Sequence, residues 1–208
     1  ARLLDRAQHL MPTSAHGKLL ERSAINIFPG DIAVEQTQPI ATLLGSCIAV
    51  CLYDPQLKLA GMNHFMTPHF GRNTQQDAAL SGMASMDLLV NAMMKRGANR
   101  YSLVAKAFGG GNLVNIRLGV TIGENNIEFT KTWLANEGIP LLAADLGGLR
   151  ARKIVFNPVD GDVFCRQIGA KPSEPPDQLE QLDQLAKAEA QYQHKLEVEL
   201  KTRRVDYW

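Results

Sequence analysis

Residues 40–66 read IATLLGSCIAVCLYDPQLKLAGMNHFM, and the punctuation of this stretch decides the fold. The apolar run from Ile40 to Tyr53 is broken only at Gly45-Ser46-Cys47, where a glycine permits a tight turn. Asp54-Pro55 then turns the chain, and Leu59–Met66 supplies the next strand before Pro68. If that turn reverses the chain, Leu59–Met66 runs antiparallel beside Ile48–Tyr53. Cys47 and His64 then occupy paired strands, both near the end remote from the turn. The spacing permits contact between them, but by itself it still favours a satisfied core histidine.

Upstream, Ile25–Phe28 followed by Pro29-Gly30-Asp31 predicts a strand running into a turn, and Ile32–Val34 resumes extended structure. Residues 1–24 are polar and mixed, a loosely held lead-in or a short helix over Leu3–Leu10. Downstream, Thr74-Gln75-Gln76-Asp77 fits a capping box, and the spacing predicts a helix over Asp77–Arg96 stopped by Gly97. Leu80, Met83, Val90 and Met93 fall near one face and read as core. Tyr101–Phe108 predicts a strand leading into Gly109-Gly110-Gly111, and Asn126–Glu137 a second helix ending at Gly138. Ile139–Ala143, Lys153–Phe156 and Val163–Ile168 complete the strands. Strands in hairpin order with two helices inserted predict an α+β fold rather than a repeated βαβ array. Lys171–Pro176 (KPSEPP) reads as a linker. Beyond it Leu179, Leu182, Leu185, Tyr192, Leu196 and Leu200 mark an amphipathic helix, peripheral or docking. The expected organisation is a lead-in over 1–24, one domain over 25–170, and a linker with helix over 171–208.

Composition narrows the function classes. The 208 residues are 45% apolar and 21% charged, as in ordinary globular chains. A formal net charge of +1 without a basic, aromatic-interleaved run argues against electrostatic nucleic-acid binding. No apolar run approaches the roughly 18 residues of a membrane span. The opening ARLLDRAQHLMP has no continuous apolar core, so a secretory signal is not expected. Three cysteines do not suggest a disulfide framework, which points to a cytoplasmic protein with reduced thiols.

A cysteine nucleophile needs a base within reach and donors for a developing oxyanion. Cys47, at the glycine-marked turn, is placed for that role, with backbone N–H groups of Gly45 and Ser46 as candidate donors. Cys51, between Val50 and Leu52, and Cys165 read as small buried hydrophobes. Cys47, Cys51, His64 and His69 match zinc in number, but C-x3-C on a strand does not wrap a tetrahedral ion as a knuckle does. Phe108-Gly109-Gly110-Gly111-Asn112 lacks the spacing of phosphate loops and reads as a crowded turn or a loop lining a site. No cofactor or metal is expected.

The segment TLLGSCIAVCLYD at Thr42–Asp54, followed by Gly61-Met62-Asn63-His64, resembles the chemoreceptor glutamine deamidase family (CheD). Ile27-Phe28-Pro29-Gly30-Asp31, Lys106-Ala107-Phe108-Gly109-Gly110-Gly111, and the stretch from Ile139 through Asn157-Pro158 resemble it in the same order. The turn reading GGGN and the Ala151 between Arg150 and Arg152 depart from the family pattern. The resemblance implies a layered α/β sandwich with a largely antiparallel sheet flanked by helices, related to deamidating bacterial toxins. It also implies a protein-glutamine deamidase in which Cys47 is the nucleophile, His64 the base, and Thr42 the hydroxyl completing the site, with Ser46 the competing hydroxyl. The implied substrate is a methyl-accepting chemotaxis receptor, and the implied second partner a CheC-type phosphatase. A cysteine protease or amidase, and a non-enzymatic chemotaxis adaptor, are the rival readings.

Overall fold

The structure is a computed structural model describing residues 15–68, 80–113 and 121–168, with scattered helical positions between 180 and 198. In chain order it comprises α1 (Ala15–Ser23), β1 (Ile25–Asn26), β2 (Ile32–Glu35), β3 (Ile40–Leu44), β4 (Ile48–Asp54) and β5 (Leu59–Asn63). There follow α2 (Gly82–Lys95), a 3-10 turn at Arg100–Ser102, β6 (Val104–Gly109), α3 (Ile122–Asn136), β7 (Leu141–Leu146), β8 (Ala151–Phe156) and β9 (Val163–Ile168). The expected short helix at Leu3–Leu10, the capping box at Thr74–Asp77 and the linker at Lys171–Pro176 lie outside the described residues.

Two sheets form. One has the order β1-β3-β8-β9, and the other β2-β5-β4-β6-β7. Among the described strand pairs, β1–β3 and β6–β7 are parallel and the rest antiparallel. The inner faces meet in one core layer, where Ile40 and Leu44 of β3 and Ile154 and Phe156 of β8 pack with Ala49, Cys51 and Met62. The opposite face of β4, with Ile48, Val50 and Leu52, packs against Met86, Leu89, Val90 and Met93 of α2 and Trp133 and Leu134 of α3. On the other side, Leu20 of α1 and Ala24 just beyond it pack against Ala41, Val155 and Phe164. The result is helix, sheet, sheet, helix. This is the expected α+β sandwich.

The layering explains why Ile48–Leu52 is apolar without alternation: both faces of β4 are covered, so neither position parity can be polar. It also gives the break at Gly45-Ser46-Cys47 its place in the fold. β3 pairs with β8 in one sheet and β4 with β5 and β6 in the other, so Gly45-Ser46-Cys47 is a crossing between sheets.

Other boundaries also move. α2 starts at Gly82 behind Ser81 rather than at Asp77. Leu80 lies before it, its carbonyl accepting from the Met66 and Thr67 amides. Met83 is 43% exposed, whereas Val90 and Met93 are core as expected. α3 starts four residues before the predicted Asn126, because Thr121 and Glu124 form a reciprocal capping box. Tyr101 belongs to the 3-10 turn and is 96% exposed, so that strand begins at Val104.

Candidate active site

Thr42 lies on β3 and shares the inward parity of Ile40 and Leu44. His64 follows β5 in the facing sheet, and Cys47 closes the crossing between the two. All are buried, at 2%, 1% and 0% exposure respectively. The Thr42 Oγ1 and His64 Nδ1 atoms are 2.8 Å apart, a hydrogen bond that ties one sheet to the other.

The direction of that bond follows from proton counting. The single hydroxyl proton of Thr42 is donated to the Ile27 carbonyl at 2.7 Å. Thr42 Oγ1 therefore accepts from His64, and Nδ1 carries the imidazole proton. Nε2 is left with its lone pair, buried and without a hydrogen-bond partner among the described residues. Burial also pushes the imidazole pKa down to about 3, so the ring is neutral at neutral pH. The outcome is a neutral base of fixed tautomer.

Backbone pairing sets where this base stands. β4 and β5 are antiparallel with Cys51 opposite Met62, and Ile48 bridges to Phe65 in the same register. Continued by one residue, that register puts Met66 opposite Cys47 and makes His64 its diagonal neighbour. Diagonal positions lie about 7–8 Å apart along the backbone, within reach of an imidazole. The ladder is interrupted beside His64, where the Val50 amide donates to Asn63 Oδ1 at 2.8 Å instead of to a backbone carbonyl. His64 itself is pinned from β2's side: its amide donates to the Asp31 carbonyl and its carbonyl accepts from the Gly30 amide. Ile27–Asp31, read from sequence only as a strand and turn, thus orients both Thr42 and His64.

The crossing that carries Cys47 is held by its carbonyls. Gly45 C=O accepts from Gly111 N–H and Cys47 C=O from Gly110 N–H, each at 2.8 Å. Ser46 C=O accepts from the Asn126 side chain at 2.9 Å. Gly109 allows this approach, since a β-carbon there would lie 2.1 Å from the Cys47 carbonyl oxygen. Phe108–Gly111 is therefore a clamp on the crossing, not a phosphate cradle. Arg152, buried at 3%, secures the far side by donating to Asp145, Arg150 C=O and Gly147 C=O.

The remaining thiols are chemically quiet. None of the cysteines is in a disulfide. Desolvation drives the Cys51 pKa far above its ordinary value, and desolvation with the nearby Asp145 carboxylate pushes Cys165 up to about 12. Among the described residues no cluster of three His, Cys, Asp or Glu side chains could hold a metal ion; His69 lies outside them. No described helix is long and apolar enough to cross a membrane. Asn63, Asn126 and Arg152 were missed as site residues by sequence reasoning. Their signal was a buried polar side chain in an apolar context, which burial alone reveals.

The family model described as CheD chemotactic sensory transduction matches residues 66–167. A "Probable chemoreceptor glutamine deamidase CheD 2" of Dechloromonas aromatica is 51% identical over 152 residues, covering 72% of this chain and 77% of the relative. A "Probable chemoreceptor glutamine deamidase CheD 1" of Shewanella oneidensis is 44% identical over 161 residues, covering 76% and 78%. Among solved structures, the hypothetical protein YfiH of Bacillus licheniformis aligns with a TM-score of 0.37 and 18% identity, covering 55% of this chain and 49% of that one.

Proposed function

The chain belongs to the CheD family, and from that premise we propose that it hydrolyses glutamine side chains of chemotaxis receptors to glutamate, with Cys47 as nucleophile. The observation that carries the assignment is the hydrogen-bond chain Ile27–Thr42–His64, which leaves His64 Nε2 as an unprotonated, buried acceptor diagonal to Cys47.

The resting imidazole is neutral, because burial disfavours its charge. On attack, His64 Nε2 takes the thiol proton as sulfur bonds to the side-chain amide carbon. The oxyanion is received by backbone N–H groups of the crossing, Gly45 and Ser46 being the candidates. The imidazolium then protonates the leaving nitrogen, the C–N bond breaks, and ammonia departs from a thioester. Water, losing a proton to His64, hydrolyses the thioester to a carboxylate and restores the thiol. Thr42 accepts the Nδ1 proton's hydrogen bond throughout, the orienting role of the third member in triad logic. Each turnover replaces a neutral amide with a charge on the receptor surface.

This reading places the reaction in the cytoplasm, where thiols stay reduced. A CheC-type phosphatase is the second partner that the family resemblance supports.

Incubating a methyl-accepting receptor with wild type and with the Cys47→Ala variant tests the assignment by mass spectrometry. Wild type is expected to add about one dalton per converted glutamine and release ammonia, without backbone cleavage. Cys47→Ala is expected to bind receptor yet convert none. Backbone cleavage would favour a protease. Binding by wild type without conversion would favour an adaptor.

A further inference from the structure

We propose that Asn126 is a positioning residue for the Cys47–His64 pair, acting as a side-chain brace between the crossing that carries Cys47 and the segment that follows His64. The proposal rests on the deamidase reading for its activity arm, but not for its second arm.

Asn126 lies in the second turn of α3 and is completely buried. Its Nδ2 donates to Ser46 C=O and to Met66 C=O, each at 2.9 Å. Ser46 directly precedes the thiol residue. Met66 is the residue opposite Cys47 when the Ile48–Phe65 register is continued. The two carbonyls therefore flank the point where regular pairing between β4 and β5 has ended. One amide nitrogen replaces the lost ladder bonds there and fixes how far Cys47 stands from His64.

The orientation of the amide is settled by its partners. Two carbonyl oxygens can only accept, so the amino group faces them and Oδ1 faces away. Oδ1 is buried without a hydrogen-bond partner among the described residues. A leucine would fill a similar volume without stranding an acceptor, so packing does not account for an asparagine here. What asparagine supplies is a forked donor. The helix presents it rigidly, since α3 is capped by Thr121 and Glu124 and the Thr130 hydroxyl donates to the Asn126 carbonyl at 2.7 Å.

The test compares wild type with Asn126→Ala and with Asn126→Asp, which keeps the shape but loses the forked donor. Leu134→Ala, a buried core residue of α3 that makes none of these bonds, is the control for destabilising the same helix. Receptor deamidation and the alkylation rate of Cys47 by iodoacetamide, located by peptide mass spectrometry, are measured at a temperature where circular dichroism shows each variant folded. Both Asn126 variants are expected to lose about 10²-fold in kcat with KM within about threefold, as for a reacting pair displaced by about an ångström. Their Cys47 alkylation is expected to fall to that of His64→Gln, while Leu134→Ala keeps wild-type kcat. Wild-type kcat and wild-type alkylation in folded Asn126→Asp would overturn the proposal. So would a loss matching only the unfolded fraction. Wild type that left receptor glutamines unconverted would sink the functional reading instead, and the alkylation arm would still judge Asn126.

Discussion

A hydroxyl has one proton to give, and at Thr42 that fact fixes the chemistry of a neighbour. Because the proton goes to Ile27 C=O, the imidazole must donate from Nδ1 and keep Nε2 basic. Thr42→Val would leave the His64 Nδ1 proton and the Ile27 carbonyl unpaired in a dry interior. The expected stability loss is about 1–3 kcal/mol, read by urea denaturation. Deamidation should fall about 10²-fold or more as the tautomer is released, within the range of a misplaced general base. Thr42→Ser retains the hydroxyl and should recover most of both. If Thr42→Val kept full activity, the hydroxyl would have no part in orienting the base.

At the scale of elements, the site depends on loops that hold one another through backbone groups. The crossing between β3 and β4 is stapled by amides of Gly110 and Gly111, and its closeness to β6 leaves no room for a side chain at Gly109. Gly109 and Gly138 both have positive φ, 111° and 67°, yet only the first has a neighbour in the way. Gly138→Ala should therefore cost about 1 kcal/mol, the conformational cost alone. Gly109→Ala should cost about 3 kcal/mol or more, because the Cys47 carbonyl must move as well. Chemical denaturation of the two variants side by side separates strain from collision. Equal losses would show that the crossing is looser than its contacts imply.

For the whole molecule, the consequence is a pH dependence of folding. His64 sits between the two sheets with its pKa lowered to about 3, against 6.5 in an unfolded chain. Below about pH 6.5 the unfolded chain gains a proton that the folded protein refuses. Its contribution is thus intact above that value and is lost as pH falls toward 3. The slope is about 1.4 kcal/mol per pH unit, or about 2 kcal/mol between pH 7 and pH 5. Urea melts at those two pH values should show that excess loss in wild type relative to His64→Gln. Identical pH dependences would mean that the imidazole is not kept neutral by the fold. Activity should likewise show no acid limb near 6.5 that belongs to His64.

The sequence by itself determined the strands around the site, the β4–β5 reversal at Asp54-Pro55, the α+β class and the Cys47, His64 and Thr42 candidates. These depend on local signals: turn residues, apolar runs and an ordered set of motifs. It marked Val163–Ile168 to the residue, because Asp160-Gly161 punctuates the turn before it. Only the tertiary structure decided that the run through Gly45-Ser46-Cys47 changes sheets. Burial on both faces erases the period-2 signal that would have announced it. The braces are likewise invisible in one dimension. Asn126 is 80 residues from Ser46 and 60 from Met66, and Ile27 is 15 from Thr42. A buried polar side chain declares its purpose only through partners that folding brings to it.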